Sequence, residues 1–92
     1  MVGTHKMKPY TNIETTKSYI IRKFDKTIDP IELKWHRDKE DRLVEIIGQT
    51  DWKIQLDNEL PTNMNKPILI PKFHWHRVIK GTGDLTLKIY LD

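Results

Sequence analysis

At 92 residues and 37% hydrophobic content the chain is one small domain with a modest core, and it is too apolar to be disordered. Having no cysteine, it excludes disulfide scaffolds, thiol catalysis and cysteine-held zinc, so any metal must be bound by His, Asp, Glu or main chain. The net charge of +3 is spread over mixed-sign runs such as Arg37-Asp38-Lys39-Glu40-Asp41-Arg42. No apolar run reaches membrane-span length, so the expectation is a cytoplasmic protein with neither a nucleic acid nor a membrane as partner.

Residues 1–16 lack any hydrophobic period and predict a flexible N-terminal tail or arm, with His5 inside it. Residues 17–92 read as a single β domain. Ser18–Phe24, with Tyr19, Ile20, Ile21 and Phe24, predicts the first strand, and Asp29-Pro30 marks a turn. Ile31, Leu33 and Trp35 then alternate with Glu32, Lys34 and His36, predicting a second strand. After the charged loop Lys39-Glu40-Asp41, a strand runs from Arg42 to Ile47 and ends at Gly48. Trp52, Ile54 and Leu56 alternate with Lys53, Gln55 and Asp57 in the next. Turn formers fill 57–63, and Ile68-Leu69-Ile70 is a short buried strand between Pro67 and Pro71. Gly81-Thr82-Gly83-Asp84 is a hairpin-type turn; without a following helix or a Lys-Ser/Thr pair it is not a phosphate loop. Leu85, Leu87, Ile89 and Leu91 alternate through the last strand. Short strands, close turns and no helical period predict an all-β sandwich or small barrel.

Chemistry concentrates in two places. His36 and Asp38 are two apart, so on an extended segment their side chains share a face. If the fold brings His76 beside them, two imidazoles and a carboxylate converge, the ligand set of a mononuclear metal site with open positions. His74 has the parity of His76 but stands in the loop before the strand, which makes it the poorer ligand. A parity conflict accompanies this reading: with His36 facing inward, Ile31, Leu33 and Trp35 must face out. Such an apolar patch asks to be covered, by the Tyr19–Phe24 segment or by a second subunit in a two-fold homodimer. Trp35, Trp52 and Trp75 read as core and rim packing rather than a stacking platform.

The order of these elements resembles the cupin family of small β-barrels over roughly residues 30–91. The second cupin motif carries Gly, Pro, Gly and a metal-binding His at fixed spacing; the corresponding positions here are Asn65, Pro71, Phe73 and His76. Asn stands in for the first Gly because it reaches positive φ more readily than other side chains. Phe73 departs from the second, and Lys80 replaces the Asn that often closes the motif. In the first motif His36 matches, Asp38 replaces the second His, Gly48 closes the strand, and Pro30 replaces the opening Gly. For the family's Glu ligand, counting back from Gly48 reaches Asp41 and counting forward from Asp38 reaches Arg42.

The resemblance implies a single small jelly-roll barrel of short antiparallel strands, with a metal held by His36, Asp38 and His76 and with Asp41 as a further ligand. If Arg42 takes the Glu position it faces the pocket as an anion-binding group, and Gln55 supplies an orienting amide. Iron, manganese, nickel and zinc all suit this donor set. The expected function is binding or transforming a small polar organic molecule at a divalent metal. The alternative is a metal-free, non-catalytic module for a sugar-like ligand, and behind it an accessory protein that uses the barrel as a dimer-forming body. Whether a reaction occurs, and which residue would be catalytic, is left open by the sequence.

Overall fold

The computed structural model describes residues 8–91; residues 1–7 and 92 lie outside the described part. The described residues contain eight strands: β1 Thr11–Thr15, β2 Tyr19–Phe24, β3 Arg42–Ile46, β4 Lys53–Leu56, β5 Thr62–Asn63, β6 Ile68–Ile70, β7 His76–Ile79 and β8 Leu85–Tyr90. They form two antiparallel sheets, one in the order β1-β2-β8-β3-β6 and the other β5-β4-β7. The architecture is an all-β sandwich of the jelly-roll kind. No helix among the described residues is long and apolar enough to cross a membrane.

Side-chain alternation explains how the sheets face each other. On β8, Leu85, Leu87 and Ile89 are buried while Thr86, Lys88 and Tyr90 are half-buried on the other face. Opposite them Ile54 of β4 and Trp52 just before it are fully buried. Trp52 also satisfies its indole, donating Nε1–H to the Gly83 carbonyl at 2.7 Å; the 81–84 turn it holds is not the expected hairpin but a crossover, since β7 and β8 lie in different sheets. That approach requires a glycine nearby: a Cβ at Gly81 would lie 2.7 Å from the Trp52 backbone nitrogen.

Two further expectations give way. The segment of Ile31, Leu33 and Trp35 is not a strand: Pro30–Glu32 is a 3-10 turn, capped by the Asp29 carboxylate, which accepts from the Ile31 N–H at 3.1 Å. Proline fixes φ for the first position of such a turn, and a capping Asp before it outweighs a three-residue alternation. The turn splits the apolar trio. Leu33 is 9% exposed and packs in the core, whereas Ile31 at 71% and Trp35 at 39% face out, with Arg77 stacked 4.8 Å from the Trp35 ring. The parity conflict therefore disappears without a bulge. The expectation of a loose tail fails over Thr11–Thr15, which pairs along β2 as an edge strand, Thr11 opposite Lys23 and Thr15 opposite Ile20. The first seven residues of that tail, His5 included, lie outside the described residues.

Candidate metal centre

After Leu33 the chain extends and His36 meets His76 in an isolated antiparallel bridge. The two residues exchange both backbone hydrogen bonds, His36 N–H to the His76 carbonyl at 3.0 Å and His76 N–H to the His36 carbonyl at 2.9 Å. Directly opposed residues project side by side, so the imidazoles meet edge to face with centroids 4.2 Å apart. Each ring is oriented by a carbonyl two residues earlier in the chain. His36 Nδ1 lies 3.1 Å from the Lys34 oxygen, and His76 Nδ1 lies 2.8 Å from the His74 oxygen. A carbonyl only accepts, so Nδ1 is the donor in both rings, and the neutral form of each ring presents its lone pair at Nε2.

Asp38 completes the group. Its Oδ2 is 3.5 Å from His76 Nε2, and one donor atom from each of His36, Asp38 and His76 lies within 4.8 Å of the others. His76 is 5% exposed, Asp38 half-buried and His36 exposed, so the cluster has a closed side and an open side. Burial pushes the His76 pKa below its ordinary value, against the hydrogen bond to the His74 carbonyl. Nearby His36 acts with burial and Asp38 against it. A neutral His76 with a free Nε2 is the form a metal requires. The donor set thus fits a divalent metal: nitrogen lone pairs and a carboxylate converge, and both rings are held by outer hydrogen bonds as metal-ligating histidines are.

The loop that delivers Asp38 is tied to the loop before β7. Phe73 donates its N–H to the Asp38 carbonyl at 2.7 Å, and Lys72 donates its N–H to Asp41 Oδ1 at 2.9 Å. Asp41 is therefore occupied as a loop fastener and lies outside the three-residue group. Phe73 makes its bond with φ at 61°, the left-handed region that the family's Gly would occupy without strain. Asn65 is not at positive φ; the asparagine that is, Asn58, lies in the turn that follows β4.

Between the sheets lies a cavity of 390 Å³ whose wall includes all three candidate ligands. Its lining is largely apolar, with Leu33, Val44, Ile54 and Leu87 among it. Arg42 stands in the wall too, with one guanidinium nitrogen 3.1 Å from Glu40. Gln55 does not. Its Nε2 donates to the Glu59 carbonyl at 2.9 Å and its Oε1 accepts from Arg77 at 3.0 Å, on the face of β4 opposite the cavity-lining Ile54. His74 contributes its carbonyl to His76, and its own Nε2 is buried without a partner.

Three charged wall residues were not marked as site residues by the sequence, Arg22, Glu32 and Lys34, and Arg22 is the one that lies on a strand. The signal was there: Ile20, Arg22 and Phe24 share a parity, so a charge interrupts an inward apolar face.

No family model and no curated protein matches this sequence. Solved structures do match in fold. A cupin-2 domain protein from Shewanella frigidimarina is 13% identical with a TM-score of 0.58, covering 96% of this chain and 83% of its own. A cupin domain from Bordetella pertussis is 13% identical with a TM-score of 0.55, covering 96% and 99%. The hydroxypropylphosphonic acid epoxidase of S. wedmorenis is 15% identical with a TM-score of 0.60 over 80% of this chain and 42% of its own. With its two antiparallel sheets and its paired motif positions at His36 and His76, the chain has the fold of the cupin family.

Proposed function

We propose that the cavity holds one divalent metal on His36 Nε2, His76 Nε2 and the Asp38 carboxylate, and binds a small polar organic molecule beside it. The observation that carries this reading is the convergence of the three donor atoms within 4.8 Å while both Nδ1 atoms are committed to backbone carbonyls. Three protein ligands leave positions open, as catalytic rather than structural sites do. Iron, manganese, nickel and zinc all accept this donor set, and such a metal supplies Lewis acidity or a place for dioxygen.

The chain's own residues do the rest. The His74 and Lys34 carbonyls hold the rings in one orientation, the apolar wall excludes water, and Arg42 offers a cation to an anionic group. The phosphonic acid substrate named for the S. wedmorenis relative is of this size and charge, and this chain spans under half of that protein's length. The second reading, a metal-free cavity for a small polar ligand, is favoured by one contact: the Asp38 carboxylate lies 3.5 Å from His76 Nε2 and can partner that ring without any metal.

Elemental analysis of protein purified without added metal separates the two. One transition-metal ion per chain supports the first reading. A metal-free preparation that takes up none, yet is stabilised by small polar ligands, supports the second. Leu43 and Leu69 pair across β3 and β6 with exposed side chains, and we extend the proposal to a homodimer through such apolar surface. Light scattering at the mass of two chains is the expected result, and the mass of one chain would overturn that part.

A further inference from the structure

Arg22 sits where a core strand ordinarily places an aliphatic residue. It lies on β2 between Ile20 and Phe24 on the inward face, opposite Leu87 of β8, and all four residues line the cavity. A guanidinium there loses hydration, which lowers its pKa; Tyr10 and Asp38 act against that change and Arg42 with it. Among the described residues no carboxylate forms an ion pair with Arg22. A charge so placed is costly unless something compensates it.

The surroundings fix the side chain rather than neutralise it. The guanidinium carbon lies 3.7 Å from the centre of the Tyr10 ring, and Nε donates to the Asn12 side-chain oxygen at 2.9 Å. Stacking sets the plane of the fork and the Nε bond sets its rotation. Both terminal nitrogens then remain without a hydrogen-bond partner among the described residues. Arg42, paired on one side with Glu40 at 3.1 Å, and Lys34 are further cations in the same wall, Glu32 and Asp38 are its carboxylates, and most of the remaining lining is hydrocarbon. Preset donors on an arginine without an ion pair, more cations than carboxylates in the lining and apolar walls together describe a receptor for a small amphipathic anion.

We infer that the cavity receives a small organic acid, its carboxylate or phosphonate gripped by Arg22 with Arg42 as the second cation, and its carbon chain against the apolar wall. This rests on the proposal that the cavity is the ligand site, and it does not depend on the metal. It also gives the segment from Tyr10 to Asn12 a role, because that segment positions the arginine.

The test uses butyrate and propylphosphonate as probes, with butyramide as the neutral match, at constant ionic strength. Thermal shift and calorimetry are run on the full chain, once with a chelator and once with manganese added. The acids are expected to raise the melting temperature in the chelator while butyramide does not, and the better acid identifies the headgroup. Arg22→Gln should weaken the acid about ten-fold or more, as loss of a charge-assisted hydrogen bond does. Arg22→Lys keeps the charge without the fork and should bind several-fold more weakly than wild type; it serves also if Arg22→Gln does not fold. Equal stabilisation by butyramide, unchanged acid binding in both variants, or no acid binding in either condition would overturn the inference. Acid binding without metal uptake would sustain it while sinking the metal centre, and metal uptake without acid binding would do the reverse.

Discussion

Phe73 and His76 show what a motif position asks of its residue. The family pattern places Gly where this chain has Phe73, and the backbone keeps the conformation that Gly would have: φ is 61° and the N–H still reaches the Asp38 carbonyl. The substitution was legible in the sequence; that the backbone would hold its shape was not, since it depends on the turn bond from His74 N–H to the Pro71 carbonyl and on the long-range bond to Asp38. Phe73→Gly and Phe73→Ala both remove a side chain that is mostly exposed, so their difference isolates the backbone cost. Phe73→Gly should be the more stable by about 1 kcal/mol in chemical denaturation. Equal stabilities would deny the left-handed conformation. His76 carries a pH signature. Burial holds its pKa below 6.5, opposed by Asp38 and the His74 carbonyl and aided by His36 and the His74 ring. On acidification the unfolded chain protonates first, so metal-free protein keeps the full contribution above about pH 6.5 and loses it as pH falls from there through the lower folded value. In denaturation between pH 7.5 and roughly 5, wild type should lose stability that His76→Gln does not. Parallel profiles would contradict the burial argument.

At the scale of elements, what the sequence made legible was alternation over four or more residues. The strands of Lys53–Leu56 and Leu85–Tyr90 follow it, because a buried sheet face selects every second side chain, whereas Tyr19–Phe24 and Arg42–Ile46 were legible as β-rich runs bounded by turn formers. Shorter evidence failed. The alternation of Ile31, Leu33 and Trp35 lost to Asp29-Pro30, whose local capping bond needs no partner strand. β1 failed in the other direction: its five side chains are all exposed, so no apolar period announces it, and it exists through backbone pairing with β2. Its lead-in brings Tyr10 to 5.6 Å from the core ring of Phe24. Deleting residues 1–15 therefore uncovers both a sheet edge and an aromatic contact. It should cost about 1 kcal/mol or more, roughly 4–8 °C of melting temperature for a domain of this size. An unchanged melting temperature would show that the segment is a loose arm after all.

For the whole molecule, the two-layer β architecture could be read from strand length and turn spacing, and the likeness to cupin structures agrees with it. The pairing of His36 with His76 could be read only through the family pattern. The two residues are far apart in sequence, and nothing local to either predicts the other. Arg22 and the cavity it lines depend on how the sheets close over one another, which parity hints at and distance alone settles. The account stands or falls on whether the three converging side chains bind a metal. Calorimetric titration of manganese or zinc into chelator-treated protein at neutral pH tests this most directly, with His36→Ala, His76→Ala and His74→Ala titrated alongside. The expected result is one metal per chain for wild type and for His74→Ala, at least about ten-fold weaker binding in the other two variants, and unchanged circular dichroism in all. Wild type that binds no divalent metal, or His76→Ala that binds as wild type does, would contradict it.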